Sequence, residues 1–159
     1  MIVIKLYYHI LCWLRIFCYK IIYGKNFCVP INTSFRKGFH VIMEKRSTIK
    51  IGDSVFFNNY CTLAARTSIT IGDGTLFGEN VKIYDHNHIY KEVSIPIKIQ
   101  GYTSAPITIG KHCWIGSNVT ILKGVTIGDN CVIGAGCVIY KDVPNDSIVL
   151  NKQELIYRK

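Results

Sequence analysis

The chain has 159 residues, enough for one domain with a small appendage and too few for a two-domain enzyme. Nineteen Lys and Arg against ten Asp and Glu give a formal charge of +9, yet only 18% of residues are charged and 49% are hydrophobic. That balance excludes a disordered basic tail and leaves phosphate-bearing small molecules, anionic membranes and nucleic acid as anionic partners.

Met1 to Tyr23 is rich in Ile, Leu, Tyr and Phe, but Lys5, Arg15 and Lys20 interrupt it before the ~18 uncharged apolar residues of a spanning helix accumulate. No small-residue cleavage site closes the segment, so a secretory leader is a poor fit. Lys5, His9, Cys12, Arg15 and Tyr19 or Lys20 recur at helical spacing, which predicts an amphipathic helix with a narrow polar stripe. It can lie on a membrane surface or pack on the body of the protein or a neighbouring subunit, and the broad apolar circumference favours packing. Residues 1–48 are read as this helix and its lead-in.

From Ile49 a six-residue period takes over. Ile51, Phe57, Leu63 and Ile69 keep it, a shift of two gives Ile71, Phe77 and Ile83, and it returns at Ile109, Ile115, Ile121, Ile127, Ile133 and Ile139. Small or β-branched residues follow four positions later at Cys113, Val119, Val125, Cys131, Cys137 and Val143, with Gly, Asp and Asn at the intervening corners. A short strand plus a corner in each six closes a triangular coil after three units, each coil about 4.8 Å above the last. The spacing predicts a parallel β-helix over 49–143; a β-sandwich would show period-2 alternation and turns every ~8–12 residues. The shift of two predicts a kinked or enlarged corner.

The period stops over 84–106, where Asp85, His86, Asn87 and His88 open an insertion that must project from a corner, and long ordered loops commonly carry function. Seven cysteines, an odd number with no C-x-x-C pair, argue against a zinc ribbon or disulfide framework and fit a reducing cytoplasm. Cys61, Cys113, Cys131 and Cys137 fall in the repeat phase and read as wall-filling residues. Residues 144–159 form a basic tail, loosely helical at best.

The units Ile109-Gly-Lys-His-Cys-Trp114, Ile115-Gly-Ser-Asn-Val-Thr120 and Ile133-Gly-Ala-Gly-Cys-Val138 resemble the hexapeptide-repeat acyltransferases, and their combination over 49–144 resembles the maltose, galactoside and capsule sugar O-acetyltransferase branch. The resemblance implies a left-handed parallel β-helix that forms homotrimers, uses acetyl-CoA as co-substrate without a metal, and acetylates a carbohydrate hydroxyl in clefts between subunits. It also implies His88 as the catalytic base, seven residues after Val81, with His86 the local competitor or a support for the loop; Asp85 or a backbone carbonyl would orient the ring. Asn58 and Arg66 match acceptor positions, where Arg66 replaces an acidic contact and suits an anionic acceptor such as a sialic acid, although an exposed corner arginine fits equally. Trp114 is expected to point outward over the CoA arm or a trimer seam. Ser117, Ala135 and Lys141 match the donor channel; Ser117 could equally cap a turn, Lys141 could be merely solvated, and Arg158 and Lys159 could assist.

The chemistry makes a parallel demand. A sugar hydroxyl attacks an activated thioester only if a base near neutral pH takes its proton, and histidine is suited to that. The implied target is a sugar of a bacterial surface polysaccharide, capsule or lipopolysaccharide, or its precursor, handled in the cytoplasm or at the inner face of the membrane. Three alternatives stay open: a streptogramin-type xenobiotic acetyltransferase, a metal-dependent protein of the hexapeptide carbonic anhydrase kind using His86, His88 and His112, and a noncatalytic assembly or membrane-surface protein using the N-terminal helix. No nucleic-acid module is recognisable.

Overall fold

A six-residue unit has room for a strand of two to four residues and a corner, and the computed structural model, which describes residues 2–152, stacks such units into three parallel sheets. Helix α1 (Ile2–Tyr23) precedes coil one, made of β1 (Phe27–Cys28), β2 (Ser34–Phe35) and β3 (His40–Met43). Coil two holds β4 (Thr48–Ile51), β5 (Phe56–Phe57) and β6 (Thr62–Ala65); coil three holds β7 (Ser68–Ile71), β8 (Leu76–Phe77) and β9 (Lys82–Tyr84). A hairpin of β10 (His86–His88) and β11 (Tyr102–Ser104) then leaves the body. Coil four is β12 (Ile107–Ile109), β13 (Trp114–Ile115) and β14 (Thr120–Leu122), coil five is β15 (Thr126–Ile127), β16 (Val132–Ile133) and β17 (Val138–Ile139), and a partial sixth carries β18 (Ile148–Val149).

The sheets run β1-β4-β7-β12-β15, β2-β5-β8-β13-β16-β18 and β3-β6-β9-β14-β17. Register is set by inward residues: Ile49 stands over Ile69 and Ile107, Phe57 over Phe77 and Ile115, Leu63 over Ile83 and Ile121. A slip of one residue would turn each ladder outward. These residues are almost fully buried, each stabilising by about 1.5–3 kcal/mol relative to exposure. Phe57 and Phe77 stack with centroids 4.5 Å apart, as do Phe35 and Phe39 at 4.4 Å.

Two of the three edges are regular because five successive coils each place one residue there at positive φ. Gly38, Tyr60, Asn80, Asn118 and Gly136 do so between the second and third sheets, and Ser54, Gly74, His112, Asn130 and Asp146 between the first and second. Asn tolerates this conformation, and side-chain amides link successive coils, Asn80 to Asn118 at 2.8 Å and Asn130 to Asp146 at 3.0 Å. Nearly every departure from six falls on the remaining edge, between the third and first sheets. Phe27 pairs with Ile49, Ile49 with Ile69, Ile69 with Ile107, and Ile109 with Ile127, advances of 22, 20, 38 and 18 residues.

The coils begin at Phe27, earlier than the period indicates, since Glu44 to Ser47 form a longer turn that breaks the sixes while Val29, Phe35 and Val41 remain buried. The coils also continue past Val143 into β18, where a basic helical tail was expected; Arg158 and Lys159 lie outside the described residues. On α1, Cys12, Ile16, Tyr19 and Tyr23 face the first coil. The Tyr19 and Tyr23 hydroxyls donate to the Phe39 and Val41 carbonyls at 3.3 and 3.1 Å, and the Cys12 thiol to the Thr33 carbonyl at 3.6 Å. The expected polar stripe is therefore divided: Cys12 and Tyr19 pack inward with their polar atoms satisfied, and Lys20 is exposed. Among the described residues, no helix is long and apolar enough to cross a membrane.

Candidate active site

The irregular edge carries the histidines. Asp85, the residue after β9, is fully buried and its carboxylate closes the corner beneath it: Oδ1 accepts the Arg66 N–H at 2.8 Å, and Oδ2 accepts the Thr67 N–H at 2.6 Å. The same Oδ1 lies 3.1 Å from His86 Nδ1. A buried carboxylate needs such donors, and here they tie the start of the hairpin to the coil below. The Thr67 and Ser104 hydroxyls, 2.8 Å apart, fasten the returning strand.

The antiparallel register pairs His88 with Tyr102 and His86 with Ser104, so strand alternation sends both imidazoles to one face. The Tyr102 ring lies between them, 4.3 Å from His88 and 5.5 Å edge-on from His86. The Arg66 guanidinium sits 3.4 Å from the same ring centroid and pairs with Glu44 at 2.9 Å. His88 is exposed; among the described residues neither of its ring nitrogens has a hydrogen-bond partner. An open depression of about 560 Å³ lies alongside, lined by Tyr84, His86, Asn87, His88, Tyr90 and Ile97. His86 is held through Nδ1 by a carboxylate, and His88 presents an unpaired imidazole to solvent; a ring nitrogen within hydrogen-bond reach of the hydroxyl is what a proton acceptor needs.

Tyr102 and Glu44 carry no sequence signal: one is an ordinary aromatic far along the insertion, the other a charge in a turn. Asn58 does not reach the histidines. It lies at the edge between the second and third sheets, separated from the hairpin edge by a strand's length, about 10–13 Å at ~3.3 Å per residue, and its Oδ1 accepts the Asn59 N–H at 2.9 Å. Ser117 and Ala135 stack on that same edge. The Ser117 Oγ accepts the Glu79 N–H at 3.1 Å, a turn-capping bond, and Ala135 is exposed. Trp114 points outward at 55% exposure. Lys141 is exposed after β17 on the hairpin edge, its ammonium 5.8 Å from the Tyr140 ring. One chain thus holds two separated groups of candidate residues.

His112 lies on a third edge at φ 55°, apart from His86 and His88, and among the described residues no group of three metal-ligating side chains converges. The repeat-phase thiols are buried and donate to carbonyls of the next coil, Cys61 to Gly78 at 3.2 Å, Cys113 to Gly128 at 3.1 Å and Cys131 to Pro144 at 3.0 Å. Burial pushes the Cys61 thiol up to about 11, opposite to what a nucleophile needs.

Comparison with known proteins agrees with this architecture. Residues 106–141 match the hexapeptide repeat of succinyl-transferase. A hexapeptide-repeat acetyltransferase from Vibrio cholerae is 31% identical with a TM-score of 0.72, covering 86% of this chain and 74% of that one; the same protein is also known complexed with acetyl-coenzyme A. The putative lipopolysaccharide biosynthesis O-acetyl transferase WbbJ of Escherichia coli K12 is 29% identical over 86% of this chain and 70% of its own length. The galactoside O-acetyltransferase of the same organism is 43% identical over 62% of this chain, which spans 47% of that protein. The chain belongs to the hexapeptide-repeat acetyltransferase family, a class of acyl-transferring enzymes, and its solenoid is the left-handed parallel β-helix of that family.

Proposed function

We propose that the protein transfers the acetyl group of acetyl-CoA to a sugar hydroxyl, with His88 as general base. The observation that carries this is the free imidazole of His88, steadied on Tyr102 at 4.3 Å and open to solvent. In the reaction, a His88 ring nitrogen takes the hydroxyl proton as the oxygen attacks the thioester carbonyl. The tetrahedral intermediate then collapses with cleavage of the C–S bond, and the proton passes to the departing thiolate. Such a base is worth about 10²–10⁴ in rate. Asp85 and His86 act behind it by holding the hairpin root.

The separation of the two candidate groups supports a site completed between subunits, where Asn58, Trp114, Ser117 and Ala135 of one chain meet the His88 hairpin of another and Lys141 lies near the CoA phosphates. A homotrimer also fits the outer surface. Phe56, Leu76, Trp114, Val132 and Ile148 form an outward apolar ladder on the second sheet, while the first sheet presents Lys50, Ser68, Thr70, Thr108 and Thr126. The finer target is a bacterial surface polysaccharide or its precursor, consistent with the lipopolysaccharide-related name of one relative. A sialic acid acceptor would have to draw the Arg66 guanidinium away from Glu44. Such a role fits a cytoplasmic protein with peripheral membrane contact through residues 1–23.

The test is an acceptor panel incubated with acetyl-CoA and read by mass spectrometry, with neutral and sialylated oligosaccharides side by side. Acetyl-ester formation on at least one sugar is expected. CoA release without any acetylated sugar, or acetylation confined to streptogramin-like compounds, would overturn the proposal.

A further inference from the structure

Helix α1 uses one face to cover the first coil and leaves the opposite face open. At about 100° per residue, Ile10, Leu14, Phe17 and Ile21 fall within about 60° of arc, pointing away from Cys12, Ile16, Tyr19 and Tyr23. All four are exposed, between 45% and 67%. Trp13, also exposed, continues the surface into a groove of about 280 Å³ that it lines with Phe17, Lys20 and Ile31. A contiguous apolar stripe of this kind on a folded surface marks an interaction site.

The charge around the stripe selects the partner. Arg15 and Lys20 lie on its two flanks, and the first 43 residues contain six Lys and Arg and no Asp or Glu, the first acidic residue being Glu44. A second copy of this helix would bring like charges together at both flanks, whereas an anionic lipid surface accepts the stripe among its acyl chains and both flanks at its headgroups. The helix is not a spanning one.

We infer that α1 docks the protein on an anionic lipid surface, lying in the interface plane with Ile10, Leu14, Phe17 and Ile21 inserted and Arg15 and Lys20 at headgroup level. This role is independent of the acetyl-transfer reading. The hairpin root, two coils above the first, then stands about 10 Å higher along the solenoid at ~4.8 Å per coil.

The experiment is co-sedimentation of the full chain with phosphatidylcholine vesicles with and without phosphatidylglycerol, at low and high salt. Binding to the mixed vesicles is expected, weakened by salt and by at least about tenfold in the doubly substituted Leu14→Ser/Phe17→Ser chain. Lys20→Glu, which leaves the stripe intact, should weaken binding to anionic vesicles alone. Size-exclusion chromatography of each variant shows whether the fold and assembly persist. No binding of the unaltered chain to anionic vesicles would overturn the inference. So would binding indifferent to both variants, or a smaller assembly in the serine variant showing that copies of the chain cover this face.

Discussion

Replacing Asp85 by alanine removes a fully buried carboxylate that accepts the Arg66 and Thr67 N–H groups at 2.8 and 2.6 Å and steadies His86 at 3.1 Å. Hydrogen bonds to a charged group contribute about 1.5–3 kcal/mol each, and a donor left buried without an acceptor costs about 1–3 kcal/mol. Some water will enter the emptied corner, so the loss is set nearer two bonds than three, about 3–5 kcal/mol. For a chain of this size about 1 kcal/mol shifts the midpoint by about 2–4 °C, which gives a fall in Tm of roughly 6–20 °C. Asp85→Asn should lie between, since it keeps one acceptor but turns an amide donor toward a backbone donor. Calorimetry at fixed protein concentration measures this, because oligomerisation makes Tm concentration-dependent. An Asp85→Ala protein melting within a degree or two of the parent would refute the view that this carboxylate fastens the hairpin to the coil.

Trp114→Glu places a charge in the middle of the outward apolar ladder without touching the core, and should break the proposed trimer into smaller species by analytical ultracentrifugation; an unchanged assembly would remove this sheet from the subunit contact. Cys61 should resist alkylation at pH 8 while the exposed Cys18 and Cys28 react, and mass mapping of labelled peptides reads this. Its folded pKa of about 11 lies above the reference value of 9.0, so its contribution to stability is intact below pH 9 and is lost as pH rises from about 9 toward 11. Denaturation midpoints for Cys61→Ala should therefore fall less steeply over that window than those of the parent chain, and equal slopes would contradict the assignment.

How much was legible in the sequence follows from where the chain is regular. Coils four and five advance by three sixes, so Ile109 to Ile139 declare themselves, and the shift between Ile69 and Ile71 correctly indicated an enlarged corner. Coil one was missed because the Glu44 to Ser47 turn puts Val41 and Ile49 out of phase, although Phe27 and Phe35 are as buried as their counterparts above. The outward orientation of Trp114 and the wall role of the repeat-phase cysteines could be read from periodicity. The neighbours of His88 could not: Tyr102 reaches it through hairpin register and Arg66 through coil stacking, neither of which a linear pattern encodes. Ser117 illustrates the same limit, since its bond to the Glu79 N–H depends on which coil lies below.

The central claim is that the His88 imidazole takes the acceptor's proton. The most direct measurement is steady-state acetyl transfer by His88→Ala and His86→Ala on the best acceptor found, with assembly checked for both. Loss of about 10²-fold or more in kcat for His88→Ala is predicted, with KM for acetyl-CoA little changed and substantial turnover retained by His86→Ala. Near-normal turnover by His88→Ala alongside an inactive, correctly assembled His86→Ala would contradict the account and move the base to the imidazole that Asp85 holds.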